Sequence, residues 1–114
     1  MPNLTTQEYI NFLQRFIILH SYIYYELNDN VISDKAYDEK ARELVRYKNE
    51  YPELWKSSEY YKQFGDDYSG ATGFTLYHDL DEKQKMIIRS IASVLPVISV
   101  DFLTLITSPV FSSV

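Results

Sequence analysis

The sequence predicts a mainly α fold: a small helical domain built on an antiparallel helix pair, with a helical C-terminal extension and an apolar tail. Three observations predict it. Apolar residues recur at helical spacing over about 6–27 and again over 34–50. Between the two runs stand Asn28, Asp29 and Asn30, whose side chains favour turns because they compete for backbone hydrogen bonds. The 114 residues are 46% hydrophobic and 24% charged, with three glycines and four prolines, which fits one globular domain and excludes a low-complexity or collagenous chain. Residues 1–64 are expected to form the helical unit. Residues 65–114 are expected to form an extension packed on it, in a single compact domain.

The first helix is expected from Thr6 to Leu27. Tyr9, Leu13, Phe16, Ile17, Ile23, Tyr24 and Leu27 form its main stripe, and Thr5 with Glu8 fits a capping box. Phe12, Ile18, Leu19 and Tyr22 widen the apolar surface, so this helix expects more than one partner. The second is expected over Asp34–Glu50. Ser33 is its cap, Asp34 complements the dipole in the first turn, and Tyr37, Ala41, Leu44, Val45 and Lys48 form the inner face. Asp38 and Arg42 are placed for an i,i+4 pair. Pro52 ends this helix, because the residue before a proline is pushed out of helical geometry.

A third helix is expected over Glu53–Phe64, anchored by Leu54, Trp55, Tyr61 and Phe64, followed by a loop from Gly65 to Gly73. A fourth is expected from about Asp79, capped by Asp79 and Glu82, with Leu80, Ile87, Ile88, Ile91 and Leu95 at helical spacing and Pro96 as its stop. The tail after Pro96 is β-branched and nearly uncharged, which leaves a strand, a short helix or a docking arm open.

Sixteen acids against eleven bases give a net charge of −5, a poor match for phosphate backbones, so no direct nucleic-acid partner is expected. The chain has no cysteine, which removes disulfides, thiolate metal sites and cysteine nucleophiles. The apolar stretch from Ile91 to Val114 is interrupted by Pro96, Asp101 and Pro109, which speaks against a bilayer span. The opening MPNLTTQEY lacks the basic and apolar regions of a secretory signal, so a cytoplasmic location is expected. His20 reads as a hydrogen-bonded core or boundary residue, His78 as part of an acidic helix start, and Lys83, Lys85 and Arg89 as a solvated helix face. No metal is expected.

The informative segment runs from Tyr22 to Leu54. It carries Tyr22, Tyr24 and Tyr25; then Ile32, Ser33 and Asp34; Tyr37 and Asp38; Arg42, Glu43 and Leu44; and Pro52, Glu53 and Leu54. In this order and spacing, over about residues 9–54, the chain resembles the small N-terminal helical domain, domain Ia, of bacterial NAD-dependent DNA ligases. Tyr51 stands where that family usually has histidine. The resemblance implies that Tyr24, Tyr25, Asp34, Tyr37 and Asp38 occupy the positions that close over the nicotinamide mononucleotide half of NAD. The chemistry suits them. A tyrosine face attracts the cationic nicotinamide ring, and carboxylates offset its charge and accept bonds from ribose hydroxyls or the carboxamide. The bland reading stands beside it: Tyr24 and Tyr37 as core aromatics, Asp34 as a first-turn acid, Asp38 as the partner of Arg42.

The Lys-x-Asp-Gly motif that accepts the adenylyl group in DNA ligases does not occur in these 114 residues. The resemblance therefore implies a noncatalytic binding module, with NAD or nicotinamide mononucleotide as ligand. Two alternatives expect a protein partner. One is a phage-encoded inhibitor of a host NAD-consuming antiviral defence enzyme. The other is a subunit of a split ligase whose adenylation domain is a separate chain.

Overall fold

The computed structural model describes residues 4–27, 32–70 and 75–106, with side chains described as far as Val94. Its helices are α1 (Thr6–Glu26), α2 (Asp34–Glu50), α3 (Pro52–Lys56), α4 (Tyr61–Phe64) and α5 (Glu82–Ile106), with no strand among the described residues. The expected turn at Asn28–Asn30 lies outside them.

The capping box forms at α1 as its residues require: Thr5 Oγ1 accepts from the Glu8 amide and Glu8 accepts from the Thr5 amide. Ser33 caps α2 by accepting from the Ala36 amide. The two helices run antiparallel. Tyr9, near the start of α1, donates to Glu43 at 2.6 Å and meets Tyr47 edge to face at 5.4 Å, while Ser21, near its end, bonds Tyr37 at 2.8 Å.

α1 is the central element, packed against α2, α3 and α5. It buries Ile10, Leu13, Phe16, Ile17, Ile18, Leu19 and Ile23, so the widened apolar surface is used on several sides. Two stripe residues depart from expectation. Tyr24 and Leu27 are exposed, because the apolar spacing continues past the point where neighbouring elements cover α1. From α2 the core takes Ala41 and Leu44, with Tyr37 and Tyr47 partly buried against them. Asp38 and Arg42 are both exposed and form no ion pair, contrary to the spacing argument; an exposed pair gains too little to hold two side chains in one geometry.

The single third helix expected over Glu53–Phe64 is instead two short ones. Polar side chains of α1 satisfy the backbone between them. Asn11 Oδ1 accepts from the Glu59 amide, Gln14 Oε1 accepts from the Tyr60 amide, and Gln14 Nε2 donates to Ser58 Oγ at 2.8 Å. Backbone N–H groups satisfied from outside do not need the helical ladder. This turn drives Tyr60 to full burial. Trp55 is also buried and donates through Nε1 to Gly65 O at 3.0 Å. Gly70 adopts φ +82°, a backbone conformation that L side chains rarely take, where this loop lies on α2 beside Val45 and Ala41.

The last long helix also departs from expectation twice. It starts at Glu82, because Asp81 and Gln84 form the reciprocal cap expected of Asp79 and Glu82: Asp81 Oδ1 accepts from the Gln84 amide at 2.7 Å and Gln84 Oε1 accepts from the Asp81 amide. It then passes through Pro96 to Ile106. A proline removes one backbone donor and crowds the preceding turn, yet a helix long enough on both sides can continue past it. Of the three conformations left open for the tail, the backbone to Ile106 is helical, and residues 107–114 lie outside the described part. No described helix is long and apolar enough to cross a membrane.

Candidate functional site at the α1–α2 junction

The five residues implied by the resemblance come from two helix ends. Tyr24 and Tyr25 occupy the last turn of α1. Asp34, Tyr37 and Asp38 occupy the first turns of α2. Antiparallel pairing puts these ends side by side. Tyr37 is the inward member: its hydroxyl bonds Ser21 Oγ, and its ring packs on the core. Burial pushes the Tyr37 phenol above its ordinary range; the Ser21 bond opposes this, and the nearby Tyr25 and Asp38 add to it. Those interactions place Tyr25, Tyr37 and Asp38 in one neighbourhood.

The other residues face solvent. Tyr24 is 52% exposed and Tyr25 44%, and their rings meet edge to face at 5.0 Å. Asp34 and Asp38 are exposed and make no hydrogen bond or ion pair with the described residues. The core reading therefore holds for Tyr37 and fails for Tyr24, and the reading of Asp38 as the partner of Arg42 fails as well. What remains is an exposed pair of phenol rings beside two carboxylates one helical turn apart, a set that can face a flat cation and accept from its hydroxyls.

A second group, which sequence reasoning did not assemble, borders the same end of α1. Tyr77 packs on Tyr22 with ring centroids 4.4 Å apart, and His78 Nε2 is hydrogen-bonded to Glu26 Oε1. Arg89 donates to the Tyr77 hydroxyl at 2.8 Å, and the Lys85 ammonium lies 5.6 Å from the Tyr77 ring centroid. Burial pushes the Tyr22 phenol up, with Tyr77 and Glu26 adding and Arg89 opposing. His78 is thus a contact to α1 rather than only part of a helix start, and Arg89 is tied to a ring rather than simply solvated. Tyr22 with Tyr77 and Glu26 with His78 pair residues more than fifty apart in the chain, so no local pattern brings this group to α1.

Two other features need separating from this junction. A cleft of ≈ 250 Å³ lies by the opposite end of α2, lined by Lys48, Asn49, Pro52, Trp55, Lys56 and Asp66. Its cations are already engaged: Lys48 donates to Asp66 O at 2.7 Å, and Lys56 Nζ stands 3.6 Å from the Asp66 carboxylate. His20 is buried against Phe16, ring centroids 4.4 Å apart, and its Nε2 lacks the hydrogen bond expected of it. Burial pushes the His20 imidazolium down to about 4, so the ring is neutral at pH 7. Among the described residues no group of three or more His, Cys, Asp or Glu is placed to hold a metal ion.

With this geometry in hand, comparison with known proteins is specific. Residues 3–58 match the family of DNA ligase-like, N-terminal NAD+-binding domains. The segment is DNA ligase-like. Within it, 54 residues are 37% identical to a DNA ligase of Lawsonia intracellularis, covering 47% of this chain and 8% of that protein. Over 47 residues, covering 41% of this chain, it is 45% identical to DNA ligases of Thermotoga petrophila and Thermotoga maritima. The matched part is 7% of each Thermotoga protein, so the chain spans a small fraction of the ligases it resembles. No solved structure matches the chain significantly. The ligase-like segment holds α1, α2 and α3 entire, and with them all five implied residues. Tyr77, His78, Lys85 and Arg89 lie beyond it.

Proposed function

We propose that this chain is a noncatalytic module that binds NAD or nicotinamide mononucleotide at the α1–α2 junction. The observation that carries the reading is the state of Asp34 and Asp38: two carboxylates of the ligase-like segment that stand exposed, one turn apart, with no described hydrogen-bond or ion-pair partner. Tyr24 and Tyr25 would present ring faces to the oxidised nicotinamide, an attraction of about 0.5–2 kcal/mol. Asp34 and Asp38 would offset its charge and accept from the ribose or carboxamide. Tyr37 would position the junction through Ser21 rather than carry the ligand.

Titration calorimetry with nicotinamide mononucleotide and with NAD tests this. Binding should be measurable, and Asp38→Ala or Tyr24→Ala should weaken it by at least about 1 kcal/mol, roughly fivefold. Absence of heat at millimolar ligand overturns it.

A second reading, as a protein-binding inhibitor or a split-ligase subunit, is favoured by the exposed apolar side chains Leu27, Met86 and Val94. Affinity capture from a bacterial host separates its two forms. A large NAD-consuming enzyme retained stoichiometrically supports the inhibitor, whereas a separate adenylation domain supports the split ligase.

A further inference from the structure

The basic side chains on the extension's side of α1 differ in how they are engaged. His78 is hydrogen-bonded to Glu26, and Lys85 stands 3.9 Å from Glu82. Arg89 is exposed and has no carboxylate within ion-pair distance among the described residues; its bonded partner is a neutral phenol, Tyr77. A guanidinium carries five donors, so most of this one's remain open.

Its position is set by the packing. Tyr77 is buried and its ring packs at a tilt on Tyr22, centroids 4.4 Å apart, so the hydroxyl that holds Arg89 is itself fixed to α1. On α1, Ser21 and Tyr25 share the face turned to α2, and Tyr22 and Glu26 share the face turned to the extension. Tyr22 and Tyr25 are three residues apart, hence neighbours on the helix surface, with Cβ atoms about 5–6 Å apart. Arg89 therefore flanks the tyrosine side of the junction, across α1 from the side on which Asp34 and Asp38 stand.

We infer that Arg89, held by Tyr77 against Tyr22, receives the 5′-phosphate of a nicotinamide ribonucleotide bound at the junction. The inference rests on the proposed nucleotide reading and extends it: the ligase-like segment supplies the rings and carboxylates, and the extension supplies the cation. The ligand has the matching polarity, a cationic ring toward acids and an anionic phosphate toward a guanidinium. The site so completed distinguishes a nucleotide from its dephosphorylated nucleoside.

The experiment compares nicotinamide mononucleotide with nicotinamide riboside by calorimetry on the full chain. The wild-type protein should prefer the nucleotide by about five- to tenfold. Arg89→Gln should bring that ratio close to one while leaving affinity for the riboside unchanged, which also reports that the site is still folded. Tyr77→Phe, which keeps the ring and removes the hydroxyl, should lower the ratio part of the way. A ratio that survives Arg89→Gln, or a wild-type ratio of one, overturns the phosphate assignment and leaves the binding reading standing. No heat from either ligand overturns the binding reading, and the assignment with it.

Discussion

The two ends of the α1–α2 pair treat polar side chains in opposite ways. Toward the start of α1, Asn11, Gln14 and Arg15 are all bonded to the turn between α3 and α4: Asn11 and Gln14 to its backbone, Gln14 to Ser58 Oγ, and Arg15 to the Tyr60 hydroxyl and Glu59. Toward its end, Tyr24, Asp34 and Asp38 face solvent, with no described partner for either carboxylate. Polar groups at the first end hold the chain's path. At the second end Ser21 with Tyr37 and Glu26 with His78 also hold the packing, but Asp34 and Asp38 have no such task within the described molecule, which is what a ligand surface requires. If the contrast is real, substitutions at the first end should cost stability and those at the second should cost affinity.

The largest effect is expected at Trp55, which is buried, bonded to Gly65 O and stacked near Tyr68 at 6.2 Å. Trp55→Ala should cost about 3–5 kcal/mol, read as a lowered urea midpoint at constant m-value. That is a large part of the roughly 5–15 kcal/mol that holds a domain of this size together. A loss below about 1 kcal/mol would mean that the α3–α4 region contributes little to the fold, and the contrast between ends would fail on its structural side.

Acid should expose His20 next. Its folded value, about 4, lies below the ordinary 6.5. Below pH 6.5 the unfolded chain binds a proton that the folded chain refuses, so the unfolded state gains and stability falls as pH drops from about 6.5 toward 4. Over that window the loss should approach about 3 kcal/mol. Carboxylates titrate in the same range, so the test is a difference: His20→Phe should be less acid-sensitive than wild type by about 2 kcal/mol, in urea melts at pH 7 and pH 4.5. Equal sensitivity of the two proteins would show that the ring is hydrated or bonded in the folded state.

Gln14→Leu comes third. The change keeps the side chain's bulk and leaves the Tyr60 amide without its acceptor, while Ser58 keeps its bond to Trp55 O. A buried donor left unpaired costs about 1–3 kcal/mol. Ligand affinity should be unchanged, because the site lies at the other end of α1.

Much of the fold is legible in local sequence because local chemistry decides it. Thr5 and Glu8, Ser33, and Pro52 set helix ends through bonds or clashes within a few residues, and those ends stand where expected. What is not legible depends on partners far along the chain. Nothing near Ser57 announces that Asn11 and Gln14 will accept its neighbours' amides and break the expected third helix. Tyr24 and Leu27 continue the apolar spacing of α1, yet both stand exposed, with no helix among the described residues covering them. The site residues were readable as an ordered motif, Tyr24 to Asp38. Their exposure, and the approach of Tyr77 and Arg89, follow from tertiary packing that no spacing encodes.

The smallest stability effects separate the two aspartates from each other. Asp34 lies in the first turn of α2, where a carboxylate complements the helix dipole by about 0.3–1 kcal/mol. Asp38 lies one turn further in, where that effect has faded, and it has no ion pair among the described residues. Asp34→Ala should therefore lower stability slightly, and Asp38→Ala should change it by less than about 0.5 kcal/mol. Both should weaken nicotinamide mononucleotide, so Asp38 becomes the cleaner probe: affinity lost with stability kept. If Asp38→Ala instead destabilises the fold by more than about 1 kcal/mol and leaves binding intact, the carboxylate belongs to the structure, and the two ends of α1 use their polar groups in the same way.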